Sequence, residues 1–255
     1  AEVRAAWLAY ENRFPHLSQW FRAAPEFKYQ SAVVGGKKTG SDINLYKLFL
    51  ERSFHLLRPG GQCRIVMPNG LYKDMGATGL RNMLFDQTQI DSMVSLSNEK
   101  FIFEEVHHSF GLLFFFFFIG GDTDTLCATF RINPREAIKA EQFTAFVEDA
   151  GNFLEIAVSL IRSLSPETAS VMEFKSQRDI EIAIKMLAFP ALGTQVGGKW
   201  NFALTREFDM TNDSALFQTS PADGRLPLYE GKMIHQFEST RAAPRYWVDT
   251  IQGRA

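Results

Sequence analysis

The stretch Leu45-Tyr46-Lys47-Leu48-Phe49-Leu50-Glu51-Arg52-Ser53-Phe54-His55-Leu56-Leu57-Arg58-Pro59-Gly60-Gly61-Gln62-Cys63-Arg64-Ile65-Val66-Met67-Pro68-Asn69-Gly70 decides the fold. Ile43, Tyr46, Leu50, Phe54 and Leu57 recur at helical spacing. Leu45, Leu48, Phe49 and Leu56 widen the stripe, as a helix pressed against a sheet requires. Ser41 or Asp42 is placed to cap that helix, and Arg58-Pro59-Gly60-Gly61 stops it. The chain then enters a buried strand, Gln62 to Met67, that ends in Pro68-Asn69-Gly70.

A second helix is expected near Thr78 to Asp86, with Leu80, Met83 and Leu84 on one face, and a second strand from Ile90 to Leu96. This strand-helix-strand unit predicts parallel pairing with a right-handed crossover. Ser97 to His108 carries no helical period, so Phe110 to Ile119 is expected as an antiparallel neighbour of the preceding strand. Its five phenylalanines, Phe114 to Phe118, read as a strand buried on both faces. Gly120-Gly121-Asp122 turns the chain into Leu126 to Ile132, expected as another antiparallel strand. The result is an α/β fold whose parallel sheet ends in an antiparallel edge hairpin.

Upstream, Ala1 to Arg13 and Ser18 to Ala24 read as helices, the first already under way at a residue that is not Met, which suggests a piece of a longer protein. Beyond Pro134 the texture changes. Phe153 to Leu164 and Gln177 to Leu187 read as amphipathic helices, the second opening on the cap pattern Ser176-Gln177-Arg178-Asp179. Asn201 to Phe208 reads as a strand, and the chain is irregular after Asp209. A boundary near residue 150 divides the chain into 1–150 and a mostly helical and irregular 151–255.

With 255 residues, 45% apolar and 22% charged, the chain has enough material for a sizeable core. A net charge of -2, from 27 basic and 29 acidic side chains, excludes a dedicated nucleic-acid binder with a global basic footprint. Cys63 and Cys127 lie in apolar runs without metal-ligand spacing, so no metal is expected. Phe110 to Ile119 is shorter than the ~20 residues a membrane helix needs. No signal peptide is visible, and the expected location is cytoplasmic.

Taken together, Asn44-Leu45-Tyr46, Phe49-Leu50-Glu51, Leu57-Arg58-Pro59-Gly60-Gly61 and Val66-Met67-Pro68-Asn69 resemble the stretch after the catalytic motif of gamma-class adenine-specific DNA amino-methyltransferases. That family includes the fused endonuclease-methyltransferases of type IIG restriction-modification systems. Arg206-Glu207-Phe208-Asp209-Met210-Thr211-Asn212-Asp213 and Leu228-Tyr229-Glu230-Gly231-Lys232-Met233-Ile234-His235-Gln236-Phe237 are similar to the start of their target-recognition domain. The likeness covers roughly residues 26–132 and 200–255.

The resemblance implies a partial class I (Rossmann-like) methyltransferase sheet in residues 1–150, the C-terminal half of a catalytic domain. Residues 151–255 are then a helical linker and the start of the target-recognition domain. It implies methyl transfer from S-adenosylmethionine to the exocyclic amine of adenine in double-stranded DNA. The glycine-rich cofactor loop and the (Asn/Asp)-Pro-Pro-aromatic tetrapeptide are absent; Asn133-Pro134-Arg135-Glu136 lacks the second proline and the aromatic. This segment alone is therefore expected to be inactive, holding no catalytic residue. The cofactor would be bound mainly by the N-terminal half of the same protein, the implied partner besides DNA.

An enzyme that acts on a base in a duplex must extrude it and replace the lost stacking. The resemblance places Phe103 at that stacking position; the plainer reading is one more core aromatic. Lys37 and Lys38, in the glycine loop Gly35 to Gly40, are candidates for phosphate contact, against a solvated loop. Among the basic and aromatic residues of the tail, Lys232 and Gln236 are the residues expected to touch DNA, against a structural linker. His107-His108 with Glu104-Glu105 reads as a polar edge, because adjacent strand histidines face opposite ways. Two competing readings are a non-catalytic DNA-recognition module on this fold and an unrelated α/β or small-molecule enzyme.

Overall fold

The computed structural model describes residues 2–30, 33–34, 36–38, 43–199, 201 and 207–254. Helices α1 (Glu2–Glu11) and α2 (Arg13–Ala23) lead to a short hairpin, β1 (Val33–Val34) and β2 (Lys37–Lys38). Helix α3 (Leu45–Leu56) follows. The expected caps Ser41 and Asp42 lie outside the described residues; Asn44 does the capping, its Oδ1 accepting from the Tyr46 N–H at 3.3 Å. The helix ends at Leu57, whose backbone is extended, and Gly60, at φ 73°, supplies the left-handed turn that aims the chain into β3 (Gln62–Pro68).

Next come α4 (Gly70–Lys73), α5 (Thr78–Gln87), β4 (Thr88–Ser97), β5 (Gly111–Ile119) and β6 (Thr125–Arg131). They are followed by α6 (Phe143–Glu148), β7 (Leu154–Ala157), α7 (Val158–Leu164) and α8 (Gln177–Met186). The sheet order is β3-β5-β4-β6-β7. β5 pairs antiparallel with both β3 and β4, so β3 and β4 are parallel to each other as expected, but not adjacent. The phenylalanine strand fills the gap between them.

The expected edge hairpin is corrected. β6 pairs parallel with β4, not antiparallel with β5. The turn after β5 is pinned across the start of β4, where Gly120 N–H donates to Gln87 O, Thr123 N–H to Phe85 O and Ile90 N–H to the Thr123 hydroxyl. The chain thus skips over β4 and rises on its far side. A second correction concerns Phe153 to Leu164: its first turn is strand β7, paired antiparallel with β6, and the helix starts only at Val158. β7 and α8 carry the first compact unit, Ala1–Phe189, well past residue 150. Ser176 caps α8 reciprocally with Asp179, as its sequence predicts.

Alternation along β5 accounts for much of the aromatic content. Leu113, Phe115 and Phe117 enter one core layer with Met67, Leu80 and Ile156. Leu112 and Phe114 enter a second layer on the opposite face, where Phe143, Phe146 and Phe153 pack. Each such burial contributes about 1.5–3 kcal/mol. Among the described residues β3 is an edge strand, hydrogen-bonded to β5 alone.

The second unit, Pro190–Ala255, holds the antiparallel sheet β8 (Phe217–Gln218), β9 (Arg225–Pro227) and β10 (Trp247–Asp249), with β10 central. The expected strand Asn201 to Phe208 falls mostly outside the described residues. Among the described residues no helix is long and apolar enough to cross a membrane.

Candidate functional site

Ligands of open α/β sheets bind beyond the carboxyl ends of the parallel strands. At that end of β3 lies an open apolar groove of about 380 Å³. Val66, Met67 and Pro68 form one side, and Phe103, Val106 and Phe110 the other. Phe103 stands in the loop between β4 and β5 and is 39% exposed. Its ring stacks on Phe114 of β5, which anchors it to the second core layer. Phe110, at 56%, is more exposed still, and the sequence reading did not single it out.

The loop is ordered without helix or strand. Asn98, wholly buried at the end of β4, donates through Nδ2 to Phe103 O at 2.9 Å and to Val106 O at 2.7 Å. Its Oδ1 accepts from Phe103 N–H at 3.0 Å. At the far end of the loop, Asn69 N–H donates to Gly111 O at 3.1 Å. A Cβ at Gly111 would meet the Asn69 side-chain amide, which would have to shift to admit it. Asn98 and Gly111 were missed; an asparagine directly after a strand signals a turn, but not that its side chain faces inward.

His107 and His108, read as a polar loop edge, sit in this loop, and their rings lie 4.3 Å apart. His107 Nδ1 pairs with the Ser109 hydroxyl at 2.8 Å and His108 Nδ1 with Glu99 Oε2 at 3.0 Å. Glu104 and Glu105 point to solvent. Among the described residues, no three His, Cys, Asp or Glu side chains gather as metal ligands.

Below the sheet's carboxyl end, Tyr72 of α4 donates to Glu173 Oε1 at 2.5 Å and meets the Ser95 hydroxyl at 3.0 Å. Burial, reinforced by the Glu173 carboxylate, pushes this phenol far above its ordinary value. It stays protonated, a structural donor between α4, β4 and the segment after α7.

The remaining candidates are scattered. The backbone of Lys37 and Lys38 forms β2, and their side chains lie outside the described residues. In the second unit Lys232 Nζ pairs with Glu230 Oε2 at 2.8 Å, so its charge already faces a carboxylate. Gln236 is exposed at a tight turn closed by reciprocal backbone bonds between His235 and Glu238, at 2.8 and 2.9 Å. A larger hollow in that unit, about 700 Å³, is bordered by Glu207, Glu230 and Asp249. Three carboxylates there disfavour a phosphate backbone.

The groove walls also fail to fit S-adenosylmethionine. That molecule needs donors and carboxylates for its charged amino-acid and sulfonium groups, and the groove side chains are apolar. An aromatic base face fits them.

An antiparallel strand set between two parallel ones, joined by a helix on one side, defines a mixed α/β sheet. Residues 21–103, from the end of α2 through Phe103, match the family described as Eco57I restriction-modification methylase, and the segment is restriction-modification methyltransferase-like. No curated protein matches the chain. Similar solved structures include a type I restriction-modification complex studied for its assembly and conformational transition, at 16% identity and TM-score 0.41, covering 62% of this chain and 40% of that one. The type I restriction enzyme EcoKI M protein is 15% identical with TM-score 0.40, covering 57% and 42%. The type IIG restriction endonuclease BpuSI is 15% identical with TM-score 0.36, covering 60% and 19%. The chain spans less than half the length of each.

Proposed function

We propose that this chain is the C-terminal half of the catalytic domain, with the start of the target-recognition domain, of a site-specific DNA methyltransferase. The intact protein transfers a methyl group from S-adenosylmethionine to the exocyclic amine of adenine within a cytoplasmic restriction-modification system. The observation that carries this reading is the apolar groove at the carboxyl end of β3, with a half-exposed aromatic on an ordered loop beside it. The family match across residues 21–103 supports it.

Phe103 supplies one face for the extruded adenine, replacing stacking lost from the duplex; such base-aromatic contacts are worth about 1–3 kcal/mol. Val66 to Pro68 close the opposite side and exclude water from the amine. Methyl donor and catalytic acceptor groups come from the N-terminal half, which docks on the open edge of β3. Lys37, Lys38, Lys232 and Gln236 contact the DNA outside the pocket.

The test is methyl transfer from labelled S-adenosylmethionine to duplex DNA by the full-length protein, with the label mapped to a base. Label on the adenine amine supports the reading; duplex binding with no transfer would favour a non-catalytic recognition module. The 255-residue chain by itself should transfer nothing.

A further inference from the structure

The loop that presents Phe103 poses a physical problem. It crosses from β4 to β5 with no regular structure, and Phe101 within it adopts φ 50°, a conformation costly for an aromatic residue. A loop of this kind keeps one geometry only if something over-determines it. One side chain does so. Asn98 is wholly buried and spends its amide on the loop backbone, two donated bonds and one accepted, all within 2.7–3.0 Å. Two of the three bonds are to Phe103 itself, one to its N–H and one to its carbonyl.

Its own backbone completes the clamp. Asn98 N–H donates to Phe110 O at 3.2 Å and Asn98 O accepts from Phe101 N–H at 2.8 Å. Both aromatics of the groove wall therefore hang from one residue. No other amino acid supplies this set: aspartate lacks the donors, serine lacks the reach, and glutamine adds a methylene to a site without room.

We propose that Asn98 is the positioning residue of the base-stacking wall, fixing the peptide planes on either side of Phe103 before DNA arrives. The role rests on the stacking function assigned to Phe103. By ordering the loop in advance, Asn98 removes an entropic cost that extrusion of a base would otherwise carry. Its loss should weaken capture of the extruded base while leaving duplex binding alone.

The experiment uses full-length protein and a duplex with 2-aminopurine at the target base, whose fluorescence rises on extrusion. Duplex affinity is measured in parallel, with Asn98→Ala, Asn98→Asp, Phe103→Ala and the Asn98→Ala/Phe103→Ala double variant. Asn98→Ala and Asn98→Asp are expected to lower the extruded fraction about tenfold with duplex affinity held within about twofold. The double variant should extrude no worse than Phe103→Ala, since Asn98→Ala removes only the side-chain bonds that hold the Phe103 wall and leaves the backbone bonds to Phe101 and Phe110 in place.

Additive losses in the double variant, or normal extrusion in both Asn98 variants, would overturn the positioning role. Loss of the folded state in both would make Asn98 a folding residue and overturn it equally. If Phe103→Ala extrudes normally, the stacking assignment itself fails, an outcome distinct from failure of the clamp.

Discussion

The rings of Phe103 and Phe114 lie 6.2 Å apart with planes inclined by only 27°, the first half-exposed and the second 8% exposed. One aromatic pair thus joins the core to the groove. The two rings should separate in experiment. Phe114→Ala removes a buried ring and should cost about 3–5 kcal/mol in urea unfolding. Phe103→Ala should cost only about 1 kcal/mol, the scale of an aromatic pair contact, yet lower single-turnover methylation by the intact protein. Equal stability losses with unchanged methylation would mark Phe103 as core.

How far the sequence reveals this arrangement depends on whether the signal is local. The α3–β3 junction is legible because the helical stripe and Pro59-Gly60-Gly61 act within a few residues. β5 is equally legible, since a run such as Phe114 to Phe118 has few homes besides a strand covered on both faces. Strand order is another matter. Nothing near Phe114 says that it lies between Val66 and Val94, because that neighbour choice is made by the whole sheet. β7 was hidden for a related reason: four residues, Leu154–Ala157, are too few to show alternation before α7 imposes its own period. At the site, Phe103 followed from resemblance, whereas Asn98 becomes visible only when the loop closes over it. Lys232 was legible as a cation, but its ion pair with Glu230 was not.

Glu51 should give the fold a distinctive acid response. It is wholly buried on α3, accepting from Tyr29 N–H at 2.9 Å and Gln30 Nε2 at 2.6 Å. Burial outweighs those bonds and raises its carboxyl above the ordinary value of 4.5. The folded state then binds the proton more tightly than the unfolded chain. This carboxyl therefore favours folding most below pH 4.5, and its contribution falls as pH rises from there through the folded value. Glu51→Gln should abolish that slope, at the cost of one of the two bonds the carboxylate accepts. Urea unfolding of both proteins between pH 4 and 7 checks it; parallel stability curves would refute it.

Arg81 on α5 is the opposite case, a buried cation kept for its geometry. Its guanidinium donates to Leu71 O and Asp74 O at 2.8 Å and to Thr168 O at 3.1 and 2.8 Å. Burial lowers its value to about 10, so it remains charged at neutral pH. Arg81→Met should leave Leu71 O and Thr168 O without these donors, Asp74 O keeping the Ala77 N–H, and cost about 3 kcal/mol or more. Arg81→Lys should recover only part, because one ammonium cannot span the fork. The segment from Ser165 to Phe174 should become sensitive to protease. A loss under about 1 kcal/mol would show that water replaces the guanidinium freely.

The edge of β3 carries the last prediction. Its register with β5 runs from Gln62↔Phe118 to Pro68↔Leu112, and no described strand pairs with its other side. Beside it, Val66 is 47% exposed, and α3 leaves Leu45, Phe49 and Leu56 more than 60% exposed. An unprotected apolar edge is a template for another strand, and it bears none of the usual guards except Pro68 at its end and the outward-facing Arg64. If the N-terminal half docks there, hydrogen exchange in the full-length protein should slow at alternate amides of Gln62 to Met67, those turned away from β5. In the 255-residue chain alone the same amides should exchange about a hundredfold faster, while their β5-bonded neighbours change little. Uniform exchange along the strand in both proteins would mean that the edge faces solvent throughout, and the proposed division of the catalytic domain would fall with it.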